Sequence, residues 1–397
     1  MKTSKENHDR FLTVLLHAVF FLSGIMTVLI GQVLPILAKR FDLNDLQSGY
    51  FFPAQLAGSL LGTLLTNWFG KYGRLVQASA IGSGLMAAGI LILNSGSYEI
   101  VLVGFFVNGL GIGLTLPAIN ILVLERNPLR SAAALSFLNF FWGMGAIVSK
   151  PFVDATAVGT DLFLTAVLLA APLLICAVCM AFAPARVESR PPAKPETGEP
   201  DLTPIWSTRI AWAIAGFNFI HVGFESGIGG WLTTYTDRVQ GGMAVHWISP
   251  TLLFFLFFVI GRGIAPAFFK YVNENQMLLL SLLIILAGLA ITLTASSVLL
   301  LSIGAAICGF GSSSIFPTNV SRFSKTFGAD AMRRATPFFI CGTLGSTVIT
   351  WLIGFLSNRT GSLRSGMLVL VFSVCFLLAF QLAIMFRPFR AGESRPS

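Results

Sequence analysis

The chain of 397 residues is 55% hydrophobic and 11% charged, and phenylalanine alone occupies 36 positions. A soluble globule of this composition would expose far more apolar surface than it could bury, so the composition excludes a soluble enzyme or binding domain. A net charge of +9 would suit a nucleic-acid partner, but the placement of the basic residues, given below, follows a membrane topology instead.

Long apolar runs recur from Phe11 to Met385, and most approach the roughly 20 residues that cross a bilayer core. The first, from Phe11 to about Ala38, follows three basic residues. It is too long for the apolar region of a signal peptide and has no small-residue cleavage site, so it is predicted to be a transmembrane helix. Twelve spans are predicted in total, at residues 11–37, 46–68, 75–94, 99–124, 132–153, 161–184, 207–234, 248–269, 275–295, 298–322, 333–356 and 364–386.

One polar segment interrupts this series near its middle. Residues 185–206 read ARVESRPPAKPETGEPDLTPIW, a composition rich in Pro, Glu and Lys that is typical of a flexible, solvated linker. The sequence therefore predicts an all-α membrane protein with two six-helix bundles, at residues 1–184 and 207–397, joined by a cytoplasmic linker.

Spans 4 and 10 carry the same residues at the same spacing, which indicates an internal duplication. Two bundles related in this way are expected to be pseudo-symmetric. They can rock around a site near the bilayer midplane and expose it to each side in turn. The glycines and prolines also predict close packing or local bends. The matched positions, offset by 200 residues, are Gly109 with Gly309, Gly111 with Gly311, and Pro117 with Pro317.

The basic residues are distributed asymmetrically between the two sides of the predicted membrane. If the N-terminus is cytoplasmic and the spans alternate, 20 of the 26 lysines and arginines fall on the inner side. This is the positive-inside pattern, so we expect a bacterial-type inner-membrane protein with both termini in the cytoplasm. The six exceptions are Lys39, Arg40, Lys150, Arg238, Arg359 and Arg364.

The loop between spans 2 and 3 reads TLLTNWFGKYGR over residues 63–74. Gly70, Lys71 and Arg74 fit a Gly-x-x-x-Asp-x-x-Gly-Arg-Lys type of motif, whereas Asn67 stands where an aspartate is usual. On this loop, and over its whole length from span 1 to span 12, the chain resembles the major facilitator superfamily. The resemblance implies the major facilitator fold, and it implies that these loop residues form a gate in which Asn67 supplies a hydrogen-bonded latch.

The same resemblance extends to the second half, where Gly261 and Arg262 are expected at the equivalent end of span 8 as part of the gate. Within the superfamily, three stretches resemble the fucose permease and glucose transporter group, which implies a sugar or a similar polyhydroxylated solute. The carboxylates that proton-coupled fucose permeases place in helices 1 and 4 correspond here to Gly31 and Leu116, so their coupling scheme is not expected to transfer. The stretches are GLGIGLTLPAIN (109–120), LSFLNFFWGMGAIVSKP (135–151) and HVGFESGIGGWLTTY (221–235).

Ionisable groups inside a span are costly, so each is a functional hypothesis. Glu225, expected in the outer half of span 7, is the clearest, and His221 lies one turn away on the same face, where the two can share a proton or hold a hydroxyl. Glu225 is therefore the predicted coupling residue for H⁺ or Na⁺, with a solvated vestibule carboxylate as the alternative. His221 is equally well explained as a structural group. Lys150 is expected either to pair with Glu225 or, as we favour, to point outward beside Asp154.

Sugar sites combine amides that hydrogen-bond hydroxyl groups with aromatic faces that stack on the ring. Several polar and aromatic residues in the spans suit these roles, although Trp231 also suits an anchor at the membrane interface. The predicted contacts are Gln32, Gln55, Asn120, Asn139, Asn218, Asn319, Trp142 and Trp231.

The sequence carries no pattern of soluble catalysis. Its four histidines have no metal-ligand spacing, and its five cysteines fall inside spans, where no disulfide is expected. No cofactor is expected, and no nucleotide-binding domain is recognisable, so uphill transport would draw on a gradient. The prediction is a monomeric secondary active transporter, not an enzyme, for a small polar solute such as a sugar. The alternatives are a proton-driven efflux pump for lipophilic compounds and a non-transporting receptor with the same fold.

Overall fold

The computed structural model describes residues 2–127, 131–182, 205–240, 249–268, 271–327 and 335–386. Over these ranges the chain is helical, and an isolated bridge between Val158 and Asp161 is the extent of its β structure. The predicted all-α fold class is confirmed. The helices are α1 Lys2–Phe41, α2 Asp45–Gly49, α3 Phe51–Lys71, α4 Leu75–Leu91, α5 Tyr98–Arg126, α6 Ser131–Thr156, α7 Phe163–Ala181, α8 Arg209–Val239, α9 Pro250–Phe268, α10 Glu274–Thr294, α11 Val298–Ser312, α12 Ile315–Phe327, α13 Thr336–Thr360 and α14 Leu363–Phe386.

Each of the twelve predicted spans coincides with a described helix, α11 and α12 together forming the tenth. By length and composition, eight helical segments of the described chain qualify as membrane spans. The predicted linker at 185–206 lies almost entirely outside the described residues.

The tenth span is broken, whereas its counterpart in the first half is continuous. α5 runs unbroken through Pro117, but α11 ends at Ser312 and α12 begins at Ile315. At the break, the hydroxyl of Ser313 donates to the carbonyl of Phe310 at 2.6 Å. Serine side chains that bond to the backbone in this way compete with the helical ladder, and Pro317 has no N–H to extend α11.

The chain forms two compact units. Unit 1 comprises residues 1–43 and 50–198, and unit 2 comprises residues 44–49 and 199–397. Within unit 1, α1 packs on α6, α3 and α4 pack on α5, and α4 packs on α7. Within unit 2, α8 packs on α13, α9 and α10 pack on α11, and α10 and α13 pack on α14. The two units thus use the same order of helix pairs.

Matched glycines allow the backbones of these helix pairs to touch. A Cβ atom on Gly109 of α5 would collide with the carbonyl oxygen of Gln55 on α3, and a Cβ on Gly309 of α11 would collide with that of Phe254 on α9. Helix interfaces in membranes favour such small residues because they permit close approach. A second pair of contacts is likewise matched, between Gly145 and the carbonyl of Phe21 in unit 1 and between Gly345 and the carbonyl of Phe219 in unit 2.

The short helix α2 belongs to unit 2 although it lies between α1 and α3 in the sequence. Asp45 accepts a hydrogen bond from Nη1 of Arg238 at 2.8 Å, and further bonds from Nη2 of Arg238 and the hydroxyl of Ser357. Its side chain is 11% exposed, against 46% for Arg238. A Cβ on Gly354 of α13 would meet the ring of Trp231 at 2.9 Å, so α2 lies over a tightly packed part of unit 2.

An Arg238→Gln variant is expected to unfold at a lower temperature than the wild type. The substitution leaves the carboxylate of Asp45 almost buried with the Ser357 hydroxyl as its main donor, a loss of about 1–3 kcal/mol by the usual cost of an unmade charged hydrogen bond. Thermal unfolding of the detergent-solubilised protein measures the effect. Lys39→Gln, which removes an exposed cation, is the control, and equal unfolding temperatures for the two variants would show that the ion pair contributes nothing.

Candidate functional site

The middle of α8 carries a line of polar side chains. The helix begins after Thr208, whose hydroxyl accepts a hydrogen bond from the backbone N–H of Ala211 at 3.3 Å. It continues to Val239, past the predicted end of span 7, so Glu225 lies about 24 Å from its start and near its centre. Asn218, His221 and Glu225 follow one another at spacings of three and four residues, which places them on one face of the helix.

His221 and Glu225 are in contact inside unit 2. Nε2 of His221 lies 3.2 Å from Oε1 of Glu225, and the side chains are 1% and 18% exposed. The angles are not those of a hydrogen bond, and both ring nitrogens of His221 and Oε1 of Glu225 are buried without a hydrogen-bond partner among the described residues. Buried polar atoms without partners are uncommon and need an explanation. The pair can therefore take up a proton or accept a polar ligand.

Arg262 of α9 completes this charged group, which we call the α8–α9 site, formed by His221, Glu225 and Arg262. Its guanidinium interacts electrostatically with the Glu225 carboxylate and lies 4.2 Å from the ring centroid of Phe258. Its Nε atom is buried without a hydrogen-bond partner in the described chain. At 1.5 Å per residue, Arg262 lies about 18 Å from the start of α9 at Pro250, so it is well inside the helix.

Gly261 and Arg262 were predicted at the end of span 8 as part of the gate. Arg262 lies about 9 Å before Phe268, where α9 ends. The sequence alone did not reveal the interaction of Arg262 with Glu225. The two residues are in different helices, and no sequence pattern shows which residues of α9 lie level with Glu225 on α8.

Two predicted asparagines hold helices of unit 2 together. Nδ2 of Asn218 donates to the carbonyl of Phe338 on α13 at 3.0 Å, and Nδ2 of Asn319 on α12 donates to the carbonyl of Ile214 on α8 at 3.2 Å. Both side chains are buried, and the Oδ1 atom of each has no hydrogen-bond partner among the described residues. The amides are anchored, and their remaining acceptors face inward within unit 2.

Two predicted polar residues of unit 1, Gln55 and Gln32, are buried and hydrogen-bonded within the unit. Nε2 of Gln55 donates to Oδ1 of Asn108 at 2.9 Å and to the carbonyl of Met26 at 3.2 Å, which joins α3, α5 and α1. Gln32 is buried and donates to the carbonyl of Val28 in its own helix. Gln55 is thus part of the packing of unit 1. Asn108, which this network needs as an acceptor, was missed because its sequence neighbours are all apolar or glycine.

Three further predicted contacts of unit 1 are more accessible. Asn120 is half-buried and Asn139 is exposed, and each amide donates to a carbonyl one turn earlier in its own helix, at 2.9 and 2.8 Å. Trp142 is half-buried, and its backbone packs against Gly24 of α1. Their outward groups remain available to a ligand.

Trp231 was predicted as a stacking platform or an interface anchor, and the structure supports neither role. Its ring is fully buried and its indole N–H donates to the carbonyl of Thr350 on α13 at 2.9 Å. The side chain therefore fixes α8 to α13, and it presents no free face to a sugar ring.

Lys150 pairs with Asp154 one turn along α6, which is the arrangement that the sequence favoured over a pair with Glu225. Both side chains are partly exposed.

The loop between α3 and α4 turns tightly at Gly73, which adopts a positive φ of 65°. Asn67, Lys71 and Arg74 are exposed, and Gly70 accepts a hydrogen bond from the N–H of Gly73 at 3.1 Å. The latch that Asn67 implied is not formed among the described residues. The described chain also holds no cluster of three potential metal ligands.

The sequence is similar to a known protein family and to individual known proteins. A family model described as Major Facilitator Superfamily matches residues 16–345. Protein TsgA homolog of Erwinia tasmaniensis is 23% identical over 391 residues, which are 94% of this chain and 96% of that protein. The 4-hydroxybenzoate transporter PcaK of Pseudomonas putida is 30% identical over 175 residues, 42% of this chain and 38% of that protein.

Solved structures with the same arrangement of helices include three transporters. A bacterial homolog of the human lysosomal transporter Spinster aligns with a TM-score of 0.79 and 14% identity, over 98% of this chain and 99% of that one. The D-xylose–proton symporter aligns with a TM-score of 0.72 and 14% identity, over 97% and 99%. The fucose–proton symporter of E. coli aligns with a TM-score of 0.62 and 19% identity, over 96% and 99%. At these identities the likeness is one of fold.

Proposed function

The chain belongs to the Major Facilitator Superfamily, and on that basis we propose that it is a secondary active transporter that moves a sugar or a similar small polar solute by alternating access, coupled to a gradient of H⁺ or Na⁺. The transporter family and fold are not those of an enzyme. The proposal concerns the solute, the coupling and the residues that perform them.

The observation that carries the proposal is the α8–α9 site. A carboxylate and an imidazole are in contact inside α8, and the guanidinium of Arg262 on α9 acts on that carboxylate electrostatically. Inside membrane-spanning helices each charge costs several kcal/mol unless it serves a purpose or is paired. The buried atoms of His221 and Glu225 without hydrogen bonds are available to a cation or a hydroxyl. A purely structural charge cluster would be expected to satisfy these atoms internally.

Glu225 is proposed to carry the coupling ion. When water hydrates the carboxylate, it is stable as an anion. When water is excluded from it, it is stable with a proton or Na⁺ bound. A change of conformation that alters the access of water to Glu225 therefore binds the ion on one side and releases it on the other. His221, in contact with the carboxylate, would set the position of the proton.

A sugar is proposed as the solute because the motifs of spans 4, 5 and 7 resemble the fucose permease group and because structural neighbours include symporters for xylose and fucose. Asn120, Asn139 and Trp142 offer the amide and aromatic groups that sugars bind. We further propose that the protein acts as a monomer in a bacterial-type inner membrane with both termini in the cytoplasm.

The test is uptake of labelled hexoses, deoxyhexoses and pentoses into proteoliposomes under imposed gradients. Saturable uptake that follows an H⁺ gradient, or a Na⁺ gradient, and stops when the gradient is collapsed is the expected result. Empty liposomes and gradient-free proteoliposomes are the controls. If no sugar moves under either gradient, sugar transport is not the function.

Efflux of lipophilic compounds is the second candidate, and one feature of unit 1 favours it. An open groove of about 410 Å³ between α1, α6 and α7 is lined entirely by apolar side chains. Such a groove suits an aromatic or aliphatic compound better than a sugar. Extrusion of several unrelated lipophilic dyes from inside-out vesicles would favour this alternative. The lining residues are Ala18, Phe21, Leu22, Phe141, Met144, Pro172 and Cys176.

A further inference from the structure

Arg262 is an unusual group to find inside a membrane helix, about 9 Å before α9 ends at Phe268. An arginine at this depth normally forms a close ion pair or hydrogen bonds to carbonyl groups. Here the guanidinium lies 4.2 Å from the ring centroid of Phe258 and interacts electrostatically with Glu225, and in the part of the chain that the structure describes it forms no salt bridge. Among the described residues, no hydrogen-bond acceptor contacts it, and its Nε atom is buried.

The guanidinium is therefore held beside Phe258 and keeps donors that no described residue occupies. The cation–π contact with Phe258 restrains the position of the group. A guanidinium held in this way presents N–H groups in a fork that matches a carboxylate in two parallel hydrogen bonds, which is the strongest arrangement open to it. A neutral hydroxyl fills one donor and leaves the charge uncompensated.

We propose that Arg262 is the counterion of a carboxylate group on the transported solute, so that the substrates are small hydroxylated carboxylates such as sugar acids. The inference rests on the proposed transport function and narrows its substrate class. It also differs from the role at a gate that the sequence implied for Arg262.

Anion binding at Arg262 has a consequence for Glu225. A substrate carboxylate and an ionised Glu225 would be two negative charges at one guanidinium, and like charges in a poorly hydrated site disfavour each other strongly. The groups that the structure brings to Glu225 are His221 on its own helix and Arg262 on α9. Binding of the anion is thus favourable when Glu225 carries a proton, which couples one proton to each anion.

The experiment compares two probes that share one ring and differ in charge, D-glucuronate and D-glucose. Binding to the detergent-solubilised protein is measured by ligand-dependent thermal stabilisation. We expect glucuronate to bind at least tenfold more tightly than glucose. Arg262→Gln should weaken glucuronate binding by at least tenfold, and Arg262→Lys should weaken it less, since the charge remains but the fork is lost.

Two further variants make the test specific. Arg359→Gln is the matched control, because Arg359 also lies over a phenylalanine one turn earlier, Phe355 at 5.5 Å, but is exposed near the end of α13. Its binding of glucuronate should equal that of the wild type. Glu225→Gln, which mimics the protonated acid, should bind glucuronate more tightly than the wild type, because it removes the negative charge that competes for Arg262.

The outcomes separate this inference from the proposed function. Equal binding of the two probes, no binding of glucuronate, or an undiminished affinity in Arg262→Gln would overturn the role of Arg262. If neutral sugars are nevertheless accumulated under a gradient, the proposed transport function stands. If glucuronate binds through Arg262 but no gradient drives its uptake, the anion site stands and the proposed coupled transport fails.

Discussion

A Glu225→Gln variant is expected to lose gradient-driven accumulation of solute while it still exchanges solute across the membrane. Glutamine keeps the size and hydrogen-bonding groups of the side chain, but it cannot bind and release a proton. With one proton per solute and a pH difference of two units, coupling sustains an accumulation of about 100-fold, since each unit corresponds to a factor of ten. The variant should therefore fall from about 100-fold toward equal concentrations inside and outside.

Two measurements on the same proteoliposomes check this expectation. Uptake under an imposed pH gradient reports coupling, and exchange of labelled for unlabelled solute without a gradient reports movement of the solute. Glu99→Gln removes an exposed carboxylate at the start of α5 and should leave both unchanged. A Glu225→Gln variant that still concentrates solute against its gradient would remove Glu225 from the coupling step.

Gly109→Ala and Gly309→Ala are each expected to prevent normal packing of their unit. A Cβ atom on residue 109 would overlap the carbonyl oxygen of Gln55, and one on residue 309 would overlap that of Phe254. Both distances are far shorter than a van der Waals contact. Backbone atoms cannot turn aside as a flexible side chain can, so α3 and α5, or α9 and α11, must move apart. Overpacking of this kind costs about 1–3 kcal/mol, and more where the backbone itself collides.

The measurement is the yield of monodisperse protein after detergent extraction, together with its unfolding temperature. Gly84→Ala is the matched control, because Gly84 also lies inside a helix, α4, but a Cβ there would meet no atom within 4 Å. This control should be as stable as the wild type or more stable by up to about 1 kcal/mol, through helix propensity. Similar yields for all three variants would show that the close approach is not required.

Much of the fold could be predicted because each membrane helix is a long apolar run in the sequence. A span must be apolar over its full length, so twelve apolar runs were visible, and each coincides with a described helix or, for the tenth, with two. The duplication was visible at Gly109 and Gly309 because close helix contact admits only small residues there. Helix continuity was not visible, since the break at Ser313 depends on local hydroxyl bonds that do not interrupt the apolar run.

Only part of the α8–α9 site could be predicted from the sequence. His221 and Glu225 share one helix, and their spacing sets their contact directly. Arg262 lies on another helix, and its depth depended on where α9 ends, which periodicity fixes only to a few residues. The role of Trp231 could not be predicted either, because a tryptophan near the end of a span is compatible with stacking, anchoring or burial, and only the neighbouring Thr350 carbonyl decides among them.

The placement of α2 bears on how the protein could be divided into pieces. The duplication is contiguous in sequence, but folded unit 2 is not, since residues 44–49 precede most of unit 1. A fragment that starts at residue 199 would lack Asp45 and leave Arg238 and Ser357 without their shared acceptor. A split gene that encodes residues 1–198 and 199–397 separately would supply α2 in trans, so co-expression of both fragments should rescue the unit that the second fragment alone leaves incomplete.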